Sequence, residues 1–342
     1  MTRDAPERQT MRQALTLALT GDVMLGRMVD RAIAAYGPAY PWGDDVRAAL
    51  GRADLRLINL ECAITREQER WHDGAYKAFY FRADPVAIDT LHAAGIDFAT
   101  LANNHVGDFG TAGLLETVQL LDAAGIAHAG AGADLAAAAA PARLQAGGWR
   151  VAVVAFADHP QQWAAAPGRP GINYTPISVH PADFVPVARA LADARQGADL
   201  VVFTIHWGPN MRPRPTPEFQ AFARRVIEAG ADVFWGHSAH VVQGVEIYRD
   251  RLILYDTGDF VDDYVVAPDL RNDLSALFLV RVAPDGSLSL DVEPVRIMDR
   301  QVTLAEGPER DWFLQRLQGL CTEMGSAVVA RSDGSAAIVP QG

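Results

Sequence analysis

The chain has 342 residues, with 30 Lys+Arg against 42 Asp+Glu for a net charge of −12, and 49% of it is apolar. This balance is near the average for soluble domains, so disordered, collagen-like and disulfide-framework classes are excluded, and the acidic charge argues against nucleic acid as a partner. The two cysteines, Cys62 and Cys321, are too few and too far apart for a zinc knuckle and are expected as buried free thiols.

Along the chain, the polar start MTRDAPERQTMRQ and the interrupted apolar run from Ala14 to Leu19 lack the pattern of a secretory leader. No later stretch supplies the roughly 18 unbroken apolar residues of a membrane span, so the expected address is the cytoplasm. Apolar, β-rich runs then alternate with helical patterns, the rhythm of an α/β protein. The runs are Leu15 to Thr20, Leu55 to Leu60, Phe98 to Ala102, Val151 to Ala157, Leu200 to Ile205, Val233 to Trp235 and Leu252 to Asp256. Helices are predicted over Pro85 to Ala94, Thr111 to Ala124, Pro181 to Ala194 and Pro217 to Ala229, several opened by proline and closed by Gly95, Gly125 or Gly230. The alanine-rich stretch Ala133 to Ala142 reads as a small helix or a surface turn, and Pro160 to Pro176 as a loop. In the second half, Val241 to Tyr248, Arg251 to Leu254, Ser275 to Val282 and Ser287 to Val295 read as consecutive antiparallel strands.

The polar residues just beyond the strands carry the chemistry. Asp22 comes after the first strand, Glu61 after the second, Asn104 and His105 after the third, Asp158 and His159 after the fourth, His206 after the fifth, and His237 with His240 after the sixth. Ligands of α/β sheets bind outside the carboxyl ends of the strands, so these side chains should converge on one pocket. Carboxylate, amide and several imidazoles together suit Mn, Fe or Zn, and the bridging capacity of carboxylate suits two ions. Asp158-His159 either lines that pocket or makes a turn. His72, His92, His128 and His180 have no such context and are assigned to the surface or to helix packing. Trp207 and Trp235 stand beside ligand candidates and either wall the pocket or pack in the core. Lys77, the single lysine, and Arg82 are candidates for anion contact, and Arg212 and Arg214 in the loop MRPRPTP either clamp a carboxylate or phosphate or belong to a plain surface loop.

The blocks TGDVMLGR (Thr20 to Arg27), NLECAIT (Asn59 to Thr65), LANNHVGDFG (Leu101 to Gly110), HWG (His206 to Gly208), GHSAHVVQGVEIY (Gly236 to Tyr248) and YDTGDFVDD (Tyr255 to Asp263) resemble, in order, those of the CapA family of poly-γ-glutamate capsule-synthesis proteins. That family is similar to the calcineurin-like metallophosphoesterases. The resemblance implies a metallophosphoesterase-like four-layer αββα sandwich with mixed sheets, as a single domain over residues 1–300, with a C-terminal helix and a loosely ordered tail over 301–342. It implies further that Asp22 binds a first metal, Glu61 stands in place of the bridging aspartate, and Asn104, His206 and His237 bind a second metal, with His240 returning to the first. His105 becomes the acid or oxyanion stabiliser, oriented by Asp108.

Three departures are visible. Met24 stands where the phosphoesterases carry a histidine, and alternation would aim it at the same side as Asp22. Two residues, Ser238 and Ala239, separate the closing histidines where one is usual. Asp259 replaces the asparagine of a common Gly-Asn-Phe, an added carboxylate that either ligates metal or faces substrate. The expected function is metal-dependent hydrolysis of a phosphoester or a γ-glutamyl amide by a metal-activated hydroxide, the substrate being a small or γ-glutamyl-type molecule. The alternative is an accessory role in poly-γ-glutamate or related biosynthesis.

Overall fold

The computed structural model describes residues 12–74 and 76–341; the opening segment on which the reading of no secretory leader rests lies largely outside them. Two mixed sheets face one another. The first, of ten strands, is centred on Leu15–Val23, which pairs parallel with Leu55–Leu60 and antiparallel with Leu274–Val282. Phe98–Thr100 and Ala127–Ala129 extend it on one side and Leu288–Met298 on the other. The second sheet has four parallel strands, Trp149–Ala157, Leu200–His206, Val233–His237 and Arg251–Leu254, with antiparallel edges at Ala142–Ala146 and Val245–Tyr248.

The unbroken apolar runs of the second sheet reflect burial on both faces. Val151, Val153, Ala155, Val202 and Trp235 point into the core shared with the first sheet. Their neighbours Val154, Phe156, Val201, Phe203 and Phe234 pack instead against Phe184, Val187, Phe222 and Val226 of the helices Pro181–Arg195 and Pro217–Glu228. Arg27–Tyr36, Ala87–Ala93 and Gly110–Ala124 cover the first sheet, completing the αββα order. Alternation and proline starts thus specify the layers: Pro181 and Pro217 sit in first turns, and Thr216 accepts the Phe219 N–H as the cap of the second. The alanine-rich stretch forms the short helix Leu135–Ala139, capped by Asp134.

The C-terminal part departs from the expected loose tail. After the helix Gly307–Glu323, Ser326–Ala330 and Ala336–Pro340 form a hairpin that joins the first sheet through Leu288–Met298. The Arg331 guanidinium pairs with Asp291 on the neighbouring strand at 2.5 Å, an anchor supplied from outside the segment. Among the described residues, no helix is long and apolar enough to cross a membrane.

Candidate metal centre

Asp22 lies inside the end of the central strand, in parallel register with Asn59 on one side and Asp259 on the other. Gly21 makes that approach possible: a Cβ there would stand 2.0 Å from the Gly258 carbonyl oxygen, the group that accepts the Asp22 N–H at 2.8 Å. On the second sheet His206 and His237 are direct cross-strand partners, which brings their Nδ1 atoms to 2.9 Å. The chain then turns through Ser238 and His240, at φ of 116° and 59°, and returns His240 to the cluster.

The result is a buried group drawn from both sheets. Asp22 Oδ1 is 3.7 Å from His237 Nδ1 and 4.0 Å from His206 Nδ1, while Oδ2 is 3.3 Å from His240 Nδ1. His240 Nδ1 is also 2.8 Å from Asp259 Oδ1. Glu61 Oε1 lies between the sets, 3.7 Å from His206 Nε2 and 4.0 Å from His240 Nε2. Asp22 is therefore shared by two triads that can each hold a metal ion, Asp22–His206–His237 and Asp22–His240–Asp259. Glu61 Oε1, His206 Nε2 and Asp259 Oδ2 are buried without a hydrogen-bond partner. Unpartnered oxygen and nitrogen donors in a dry site are costly unless something takes their lone pairs, and this donor set is that of Mn, Fe and Zn.

Electrostatics point the same way. Burial and the nearby Asp22 push Glu61 well above the usual carboxylate range, and burial does the same to Asp259 against the pull of His240. Asp256 is pushed up to about 8 by burial and by Asp22. Burial lowers His237 to about 4 and, with His237 itself, takes His206 well below its ordinary value. Burial also disfavours charge on His240, but Asp259 and Glu61 outweigh it and raise this imidazole. Carboxyls whose protons a cation would displace, beside the His206 and His237 rings that burial keeps neutral and free to ligate, suit a metal ion.

Around this group, Asn59 donates to Asp22 Oδ1 at 2.6 Å and is itself held by Asn103, whose amide also reaches the Leu60 carbonyl and whose oxygen takes the N–H groups of His105 and Val106. Thr204 Oγ1 meets His237 Nε2 at 3.0 Å, and Tyr264 donates to Glu61 Oε2 at 3.1 Å. Asn59, Asn103, Asp256 and Tyr264 pack around this group and were not picked out by the strand-end rule. Asn103 adjoins Asn104 and Asn59 lies two residues before Glu61, while Asp256 and Tyr264 lie on either side of Gly258-Asp259-Phe260, two and four residues away.

His105 stands apart from the triads. Its Nδ1 is 2.6 Å from Asp108 Oδ2, Phe81 stacks on the ring at 3.8 Å between centroids, and the opposite oxygen of Asp108 meets Lys77 Nζ at 2.9 Å. Burial lowers the imidazole, with Asp108 opposing, so the neutral ring keeps its proton on Nδ1 and presents Nε2. The Asn104 amide oxygen is buried with no hydrogen bond, and its carbonyl accepts from Lys77.

Not every expected side chain arrives. Arg82 donates to the Thr65 carbonyl and lies over Phe109, a structural position. Arg212 is exposed and contributes its carbonyl to Gln243. Met24 is fully buried in the core, its sulfur accepting the Gly26 N–H at 3.1 Å; the register shift between Asp22 and Val23 breaks the alternation that would have aimed it beside Asp22. Asp259 stands beside Asp22 instead. Trp207 packs in the outer core, and Trp235 donates to the Thr20 carbonyl at 3.0 Å, tying one sheet to the other. Asp158 accepts from the Gly208 N–H while the ring of His159 comes 5.4 Å from that of His206, so this pair both turns the chain and borders the site.

Comparison with known proteins gives several matches. The family described as bacterial capsule synthesis protein PGA_cap matches residues 16–264. A probable polyglutamine synthesis accessory protein of Mycobacterium tuberculosis is 34% identical over 95% of this chain and 96% of its own. A capsule biosynthesis protein CapA of Bacillus anthracis is 30% identical over 86% of this chain and 70% of its own. Among solved structures, a hypothetical protein from Thermus thermophilus aligns with 85% of this chain and all of its own at TM-score 0.49 and 17% identity.

Proposed function

The chain belongs to the bacterial capsule synthesis protein family PGA_cap, and from that premise we propose that it is a metal-dependent hydrolase acting on a phosphoester or a γ-glutamyl amide. The observation that carries this reading is the convergence of buried, unpartnered oxygen and nitrogen donors from both sheets on two triads sharing Asp22. In it Asp22 and Glu61 are common to two divalent ions, with His206 and His237 completing one shell and His240 and Asp259 the other; Asn104 serves the first of these through its free amide oxygen. Such ions supply Lewis acidity, lowering the pKa of water toward neutrality and polarising the bond to be cleaved.

The chain's own residues do the rest. Asn59 and Thr204 orient Asp22 and His237, as groups behind metal ligands generally do. Asp108 fixes the His105 ring so that Nε2 exchanges the proton with the attacking water or the leaving group, and Lys77, 2.9 Å from Asp108, holds that carboxylate in place. Phe81 and Tyr264 wall the site against bulk water.

Purified protein loaded with Mn or Zn is expected to hydrolyse a generic phosphoester or a γ-glutamyl amide and to stop when chelated. Inactivity with every metal across both substrate classes would overturn the reading. One observation favours a second reading: a relative that matches 95% of this chain is called a probable polyglutamine synthesis accessory protein. On that reading the cations are structural, and His105→Ala changes nothing in any partner-dependent synthesis.

A further inference from the structure

The metal centre is shut. Asp22, Glu61, His206, His237 and Asp259 are at most 1% exposed, His240 5% and His105 8%, so a phosphate-sized molecule cannot settle among them. On the hydrolase reading a substrate must reach these side chains, and a free ion also needs an entry path. Part of the cover therefore moves, and the contacts show which part. Phe81, just before the short strand Arg82–Ala83, stacks on His105 at 3.8 Å between centroids. Tyr264, just after Asp259–Val261, stands edge-on to His240 at 5.1 Å and holds Glu61 through its hydroxyl. These two rings, from segments far apart in the chain, meet over the centre at 5.7 Å.

Arg27 touches both segments. Its guanidinium carbon lies 5.5 Å from the Phe81 ring and 5.6 Å from the Phe79 ring, and its Nε is 3.3 Å from Asp263 Oδ1, next to Tyr264 in sequence. The backbone is committed to that placement: Arg27 has a φ of 56°, a left-handed conformation uncommon for arginine, and a Cβ on Gly26 before it would stand 2.9 Å from the Arg82 nitrogen. The side chain is 36% exposed, and at such a surface a cation over an aromatic face and an ion pair are both weak contacts. We propose that Phe81 and Tyr264 are the two leaves of a gate over the centre and that Arg27 is the clasp that holds them together. Opening parts the two rings, lifts Tyr264 from Glu61 and uncovers His105; closing returns them and excludes water. The part this gate plays in turnover rests on the hydrolase reading. The gate itself does not, because it is a property of the folded chain and of metal entry.

Amide hydrogen exchange of the metal-free full chain, followed by mass spectrometry, reads the gate at the N–H groups of Phe81 and Tyr264, which are bonded to Asp108 and Asp262. Arg27→Gln keeps the length of the side chain and removes its charge. Exchange should then quicken about tenfold in both segments together, as loss of two weak contacts shifts a local opening equilibrium by that order. Arg31→Gln, on the same helix but with its guanidinium at the Met28 sulfur, should leave exchange unchanged. The strand Trp149–Ala157 is the internal control for general loosening and should not respond. In Mn-loaded protein a chelator should strip the ion from Arg27→Gln faster by a similar factor, while the amount bound at equilibrium stays the same. Faster exchange in only one segment, an equal response in Trp149–Ala157 or in Arg31→Gln, no change at all, or chelation at the wild-type rate would overturn the gate. Both responses in a protein inactive with every metal would sink the hydrolase reading and leave the gate standing.

Discussion

On the proposed reading each imidazole of the centre has a different duty, and substitution separates them. His237→Ala should lower the bound metal of the triad it shares with Asp22 and His206, whereas His128→Ala, whose ring meets Asp122 outside the centre, should not; equal loss from both would mean general instability rather than ligation. His105→Ala should reduce turnover by about 10²- to 10⁴-fold at unchanged metal content, measured by elemental analysis beside the rate. Protons report on the same residues. Asp256 sits at about 8 in the folded chain against 3.8 normally, so the folded state keeps a proton that the unfolded state has lost. That stability is full below about 4 and disappears as pH rises through 8. His237 runs oppositely: at about 4 against 6.5, it costs stability only as pH falls from 6.5 through 4. Above 6.5 the groups raised in the folded chain, Asp256 and His240 among them, all lose stability as pH rises, so the melting temperature of metal-free protein should fall with rising pH, less steeply in Asp256→Asn. A flat profile for the metal-free wild type would contradict this.

Between elements, the tolerance of glycine differs by location. Gly21→Ala would drive a Cβ into the Gly258 carbonyl at 2.0 Å, backbone against backbone, and should cost about 3 kcal/mol or more in denaturant unfolding. Gly319→Ala, within Gly307–Glu323 and with open space around it, should gain about 0.5–1 kcal/mol. The same contrast explains what the sequence revealed. Helices such as Pro217–Glu228 announce themselves locally, through Thr216, Pro217 and Gly230, and strands such as Trp149–Ala157 through apolar runs that only double-sided burial produces. Asp259–Val261 was illegible because three residues carry no period; it exists by pairing with Leu15–Val23, far away in sequence. The tail strands were missed for the same reason, their anchor at Asp291 lying outside the tail. In the centre, Asp22, Glu61, His206, His237 and His240 were found because strand ends can be counted. Asn59 and Tyr264 were not, because their roles are set by partners on other segments.

At the scale of the molecule, the two sheets are joined by an apolar core, by the Trp235 bond to Thr20, and by a donor cluster to which each contributes. On the proposed reading, ions bound there stabilise the folded chain by about 2.7 kcal/mol at a hundredfold excess over their dissociation constant. Amide hydrogen exchange should then slow in both sheets together when Mn is added; slowing confined to one would break the link. Because the donors lie far apart along the chain, an ion holding Asp22 and His206 acts as a removable stitch across about half of its length. Its removal should render distant segments cleavable by a protease at once, without the loss of any covalent bond, so that the abundance of this protein in a cell would follow the supply of a trace metal.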